Sequence, residues 1–355
     1  MFRFRKPYFL GLDFGTSLVK AIELTEKDGK ILLSDFGQVS LVALERGVPA
    51  SSNRTYDDEV VLYLRALLDR MQPKSREVYV AMPAFIGLIS LLEFPEMKES
   101  ELQEAIQFEA HKYIPSPLEE VALSWEVVNR IASDDGHVKT EVLLVAALNK
   151  EVEHYENNVH TAGLDMKLLE LETFSIVRAL IGDAPGLRLI VDIGARSTNL
   201  ILVDNGVVRV SRNLDIGGKD VTRTLVEGLN ITSDRAEILK KSDKDFLNNP
   251  ESALIFPALQ MIQSESERIL ESYHTKYPDV VCQEVILSGG TAQMAGLVKY
   301  YSASMQLPVS IGNPWARVEY DESLSATIRE LGTSFTVAIG LALGGLDAAK
   351  KKKAE

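Results

Sequence analysis

The stretch LDFGTSLVK (12–20) is written again, in altered letters, as VDIGARSTN (191–199). Both run apolar residue, Asp, apolar residue, Gly, small residue, then side chains that can hydrogen-bond. Each opens a meander. In the first copy, residues 8–13 are apolar, 18–24 form a second mostly apolar run, Asp28-Gly29 signals a hairpin, and 31–39 follows. In the second copy the runs are 187–192, 198–203 and 207–213, with Asn205-Gly206 at the hairpin. One strand–turn–strand–turn–strand unit, written twice at nearly equal spacings, reads as two duplicated halves.

The remaining segments fall into place around these meanders. Residues 57–71 carry Val60, Val61, Leu64, Leu67, Leu68 and Met71 at helical spacing, and 77–82 is a short buried strand before Pro83. Then come a strand (85–94), a helix (98–113), two strands (121–130 and 137–149) around the turn ASDDG, and a helix (151–162). The helix at 98–113 begins with Glu99, Glu101 and Glu104 and ends in His111-Lys112, a polarity that suits its macrodipole. This block is an inserted α+β subdomain. The second half has its own insertion, with helices starting at 222–227, at 234–241 and, long and amphipathic, at 257–273. A strand (284–287) then runs into SGGTAQMAG, read as a Gly-Gly pair before a helix start, and the helix-like SFTVAIGLALGG follows.

The chain has 355 residues, 46% hydrophobic and 25% charged, a globular composition long enough for more than one domain. A net charge of −13 disfavours general nucleic-acid binding. A single cysteine, Cys282, excludes an intrachain disulfide framework and a cysteine-rich zinc site. No apolar run is read as long enough for a membrane span, and the basic start lacks a signal-peptide core. A cytosolic protein is expected, with the start and the KKKAE end as solvated tails.

The Asp-Gly turns carry the chemistry. A strand follows each, so neither is a P-loop, which runs from strand into helix. Gly15, Thr16 and Ser17 can offer backbone N–H groups and hydroxyls to a phosphate. Asp13 would repel that phosphate unless a hydrated divalent cation lay between them. The same holds for Asp192 with Gly194, Ala195, Arg196, Ser197 and Thr198. Two such hairpins face to face would grip a triphosphate; either alone is also an ordinary turn. Gly289-Gly290 lets backbone approach a flat ligand, and equally suits a plain strand-to-helix turn. Gly217-Gly218 precedes a helix. Glu237 and Lys240 share one helical face; spacing alone leaves Glu237 as a capping partner of Asp234 and Lys240 as a solvated residue.

The ordered set GLDFGTS, VDIGARSTN, LDIGGKD, AEILK and LSGGTAQMAGL resembles the ATPase superfamily of actin, heat-shock chaperones and sugar kinases. The resemblance implies an α/β, actin-like ATPase fold of two ribonuclease-H-like halves with ATP and Mg²⁺ between them. It makes the two turns phosphate hairpins, with Asp13 and Asp192 facing the metal through water. It puts Glu237 and Lys240 near adenosine, Gly289-Gly290 at the adenosine element and Gly217-Gly218 beside the nucleotide. The insertion after 79–83 resembles that of the cell-division protein FtsA. Within that group, ELQEAIQFEAHKYIPSPLEEVALSWEVV (101–128) and GLDFGTSLVKAIEL (11–24) are similar to the PilM family of type IV pilus assembly proteins. Lys20 stands where that family carries a lysine, and strand alternation puts it on the side of Thr16 and Leu18. Tyr113-Ile114-Pro115 is also what a helix end before proline looks like.

What this implies can be set out by residue. The first-half core takes 1–83, 164–186 and 333–346, the inserted subdomain 84–163, the second-half core 187–221 and 284–332, its insertion 222–283, and a basic tail 347–355. The partner implied is the cytoplasmic N-terminal segment of PilN, in a groove between first-half core and inserted subdomain. The role implied is an adaptor at the cytoplasmic face of the inner membrane, attached through partners alone and linking alignment proteins to the pilus machinery. Arg196 departs from the small residue expected there, Phe14 replaces Ile, and KKKAE is not the amphipathic tail of FtsA. Beyond Asp13 and Asp192 no further base stands out, so tight nucleotide binding with slow turnover is expected. The alternatives are an FtsA-like polymerising scaffold of division and a small-molecule kinase, which would need a catalytic carboxylate outside the hairpins.

Overall fold

Two five-stranded sheets of identical order carry the molecule. In the first, β1 (Tyr8–Phe14), β2 (Leu18–Lys27) and β3 (Lys30–Ser40) form an antiparallel meander, and β4 (Glu77–Met82) and β8 (Asp165–Leu171) add in parallel, giving the order β3-β2-β1-β4-β8. In the second, β9 (Leu187–Ile193), β10 (Thr198–Asp204) and β11 (Val207–Leu214) repeat the meander. There β12 (Cys282–Ser288) and β13 (Val309–Ile311) complete the order β11-β10-β9-β12-β13. These are the strands of a computed structural model that describes residues 7–41, 44, 55–132, 138–249 and 254–354. The basic start (1–6), the ASDDG turn beyond Ala132 and the final Glu355 lie outside the described residues.

Local chemistry explains the repeat. Asp28-Gly29 and Asn205-Gly206 both take positive φ at each turn residue, 54° and 78°, then 51° and 80°. That conformation matches the twist of the paired strands. α1 (Tyr56–Met71) is opened by a reciprocal cap between Thr55 and Asp58 and lays Val60, Leu64, Leu67 and Leu68 on the first sheet.

Between β4 and β8 stands a third sheet, β5-β7-β6, made of β5 (Gly87–Pro95), β6 (Val121–Ala132) and β7 (Val138–Leu148), all antiparallel. α2 (Glu99–Ala110) covers it through Leu102, Ile106 and Ala110, while α3 (Asn149–Thr161) leads back to β8. In the second half α5 (Gly218–Leu229), α6 (Ser233–Lys240) and α7 (Pro257–Lys276) separate β11 from β12.

After β8 comes α4 (Glu172–Leu180). After β12 come α8 (Leu297–Met305), then β13, α9 (Ser325–Leu331) and α10 (Thr336–Ala354). α4 and α10 pack between the two large sheets, where Ile176, Val177, Val337 and Leu341 meet Ala81, Ile190 and Ile286. The helix expected directly after Gly289-Gly290 begins only at Leu297, because 290–296 are turns and Gly296 takes φ 83°. The stretch Glu322–Lys352 is long and apolar enough to cross a membrane by composition, contrary to the reading of the sequence alone. Its most apolar window is 67% buried, and its side chains fill the core between and beside the sheets.

Candidate functional site

In each half, strands β1 and β4, or β9 and β12, run parallel, so their C-terminal ends open on one edge. Ligands of open α/β sheets bind at such edges. Asp13 lies at the end of β1 and is 4% exposed; Asp192 lies at the end of β9 and is 7% exposed. In the ladders, Asp13 stands opposite Lys20, and Asp192 opposite Asn199. The duplication therefore places a lysine in one half where the other has an amide. Lys20 Nζ donates to Asp13 Oδ2 at 3.1 Å.

The two hairpins lie within electrostatic reach of one another. Burial lifts the Asp192 carboxyl from its ordinary value to about 6; a hydrogen bond from Ser288 and the charge of Lys20 oppose this, and Asp13 adds repulsion. A third carboxylate feels their charge. Glu172, first residue of α4, is raised to about 7, chiefly by burial, with Asp192 and Asp13 pushing the same way. Its Oε1 accepts from the Ala84 N–H (3.0 Å) and from Asn199 Nδ2 (2.8 Å). Asn199 Oδ1 in turn accepts from Asn213. Glu172 is a carboxylate that the reading of the sequence did not single out. The cue is a carboxylate at the C-terminal end of a parallel strand, but only the pairing of β8 with β4 brings it to the cleft.

Glycines of the second half are packed against the second hairpin. A side chain at Gly217 would lie 2.8 Å from the Gly194 carbonyl oxygen, and Gly218 N–H donates to that oxygen at 2.8 Å. Lys219 N–H donates to Ala195. The first N–H groups of α5 are therefore spent on the hairpin. Gly289 takes φ 85°, and a Cβ there would lie 2.4 Å from the Ile193 carbonyl oxygen, whereas Gly290 faces open space.

Lys240 is buried rather than solvated. Its Nζ donates to the Gly218 carbonyl (3.1 Å), Thr222 Oγ1 (2.9 Å) and Glu237 Oε1 (2.7 Å). Burial lowers its pKa, with Glu237 opposing. Glu237 also accepts from Thr222 and plays no part in capping, since the N-cap of α6 is Thr232. Gly218, Thr222, Glu237, Lys240 and Thr291 so form one wall, Thr291 Oγ1 lying 2.4 Å from where a Gly218 Cβ would be.

Gly15, Thr16, Ser17, Gly194, Ala195 and Ser197 are partly exposed on their turns. Two of the expected site residues are turned elsewhere. Arg196 is exposed and pairs with Asp215 at 3.2 Å. Thr198 is fully buried, its hydroxyl donated to the Ile216 carbonyl at 2.7 Å.

Two equally ordered sheets, joined through α4 and α10 and meeting at paired Asp-Gly hairpins, define the actin-like ATPase fold. The family model described as type IV pilus assembly protein PilM matches residues 11–346, and the chain belongs to that family. In structure it is similar to the chain solved as a PilM-PilN type IV pilus biogenesis complex (TM-score 0.78, 24% identity, 96% of this chain and 99% of that one). It is also similar to MreB5 of Spiroplasma citri bound to ADP (0.52, 16%, 98% and 99%). In sequence it is similar to the cell division protein FtsA of Pseudomonas aeruginosa, 22% identical over 95% of this chain and 89% of that protein. FtsA of Bacillus subtilis is 21% identical over 86% and 78%.

Proposed function

We propose that the protein is an ATP-binding adaptor of type IV pilus assembly. The carrying observation is the meeting of two buried hairpin carboxylates, Asp13 and Asp192, over one lysine in a chain of the PilM family. The residues present suit ATP with Mg²⁺. Buried negative charge shared with a single lysine is what a divalent cation offsets. Among the described residues no three metal-ligating side chains converge, so such a cation would keep its waters. Gly15–Ser17 and Gly194–Ser197 would receive phosphate oxygens, and the open space at Gly290 beside Lys240 and Glu237 would receive adenosine. Mg²⁺, when bound, would neutralise phosphate charge facing the two aspartates. That MreB5 of Spiroplasma citri was solved with ADP supports the reading.

Glu172 is fixed from two sides and titrates near neutrality, which suits it to orient a water and take its proton. Turnover remains slow in this proposal. Glu172→Gln keeps the accepting oxygen, so ATP binding should persist while hydrolysis is lost; undiminished hydrolysis would remove Glu172 from that role.

The partner proposed is the cytoplasmic N-terminal segment of a PilN-type protein, lying between the first-half core and the inserted subdomain. This would hold the chain at the inner membrane through its partner alone. The subdomain limits given by the sequence belong to the same proposal. Titration of the cognate segment should show saturable binding. Its absence would overturn the pilus reading in favour of an FtsA-like scaffold, which the FtsA relatives support and which ATP-dependent filaments would reveal.

A further inference from the structure

The inserted sheet enters and leaves the chain through the first half, after Met82 of β4 and before Asp165 of β8. Its strongest polar contacts go to the other half. Glu141 of β7 pairs with Arg209 of β11 at 2.6 Å, with side chains 2% and 10% exposed. Arg209 also lies 3.7 Å from Asp204 of β10. Nearer the surface, Glu93 of β5 pairs with Lys276, at the end of α7, at 2.9 Å. Between the two pairs is a cavity of about 430 Å³ walled by β5, β11 and α7, with Leu91, Val210, Ile269 and Tyr273 in its lining. Arg209 Nε is buried there without a hydrogen-bond partner among the described residues. The joint is charged and loosely filled, unlike a continuous core.

We propose that Arg209 and Lys276 latch the inserted subdomain to the second half, so that closure of the nucleotide cleft moves the subdomain against the first half and changes the groove between them. The inference rests on the proposed reading of cleft and groove. When the halves rotate, the subdomain must give way either at its chain connections or at its ion pairs. Breaking the Arg209–Glu141 pair would leave a buried charge alone, which is strongly unfavourable. The connections are more yielding. One side is a short turn at Pro83–Gly87, the other the junction of β7 with α3 at Leu148–Asn149. The sheet meets the first half at an apolar cluster of Met82, Ala147 and Leu171, non-directional and able to slide, while α3 stays with the first half, with Val159 in its core and Tyr155 edge-on to Phe14. An inner link runs the same way, since Glu172 joins the Ala84 N–H at the root of the subdomain to Asn199, the ladder partner of Asp192.

The test is distance measurement by fluorescence transfer in a Cys282→Ser background, with label pairs at exposed positions: Ala66 (first half), Glu104 (subdomain) and Glu227 (second half), each changed to Cys. On adding ATP–Mg²⁺, the Ala66–Glu227 and Ala66–Glu104 distances should change, while Glu104–Glu227 stays constant. In Arg209→Met/Glu141→Leu/Lys276→Gln, where Asp204 keeps the Tyr273 hydroxyl and the Asn205 amide as donors, the Ala66–Glu104 response should be lost and the Ala66–Glu227 response kept. A Glu104–Glu227 distance that changes as much as Ala66–Glu227 in the unaltered chain overturns the latch, whether or not the triple variant folds. An Ala66–Glu227 distance that ignores ATP–Mg²⁺ overturns the cleft reading itself.

Discussion

Replacing Asp192 by asparagine should stabilise the nucleotide-free protein at neutral pH and leave it unaided in acid. Burial takes this carboxyl from 3.8 to about 6. A group whose folded pKa exceeds its unfolded one favours folding below the unfolded pKa, and loses that contribution as pH rises through the folded pKa. A rise of about two units corresponds to about 3 kcal/mol. Asparagine matches the size of the side chain, keeps an acceptor for Ser288 and does not titrate. The difference in unfolding free energy, variant minus native, should be flat below about pH 4, climb by about 3 kcal/mol by about pH 7, and then level off. Part of the upward shift of Glu172 comes from Asp192, so its relief adds to the climb. Urea unfolding across this range, with chelator and no nucleotide, measures the difference. A flat difference, or a native chain that gains on the variant above about pH 6, would refute the claim that desolvation dominates this end of β9.

Two further predictions concern the scaffold. Tyr301 is fully buried and its hydroxyl has no hydrogen-bond partner among the described residues, so Tyr301→Phe should be neutral or stabilise by about 1 kcal/mol in urea unfolding; a clear loss would reveal a hidden partner. A Cβ at Gly340 would lie 1.9 Å from the Ser175 carbonyl oxygen where α4 and α10 meet. Gly340→Ala should therefore cost about 3 kcal/mol, and an unchanged urea midpoint would contradict that close approach.

The repeated meander could be read in the sequence because everything that specifies it is local. Alternating apolar runs, Asp-Gly turns and the two positive-φ hairpins each occupy a few neighbouring residues. The inserted sheet was legible for the same reason. Glu172 was not, because a lone carboxylate after an apolar run says nothing until β8 returns beside β4 across the whole insertion. Spacing alone left Lys240 solvated, and only the resemblance moved it to a site, since its burial comes from the packing of α6 against Gly218 and Thr222 of α5. Thr198 suggested a phosphate contact by position, yet strand alternation turns its hydroxyl to Ile216. The apolar closing helix escaped as a candidate span because glycines such as Gly340 interrupt its hydropathy while allowing helix to pack on helix.

The central claim is that Asp13 and Asp192 address a cation between themselves and the phosphates of a nucleotide. Calorimetric titration of ATP into the native chain and into Asp13→Ala, each with and without Mg²⁺, tests it most directly. The native chain should bind ATP with an affinity that Mg²⁺ raises by about 10–100-fold. In the folded variant, where Lys20 loses its partner but keeps its charge, that gain from Mg²⁺ should vanish. An equal gain from Mg²⁺ in both chains would contradict the account.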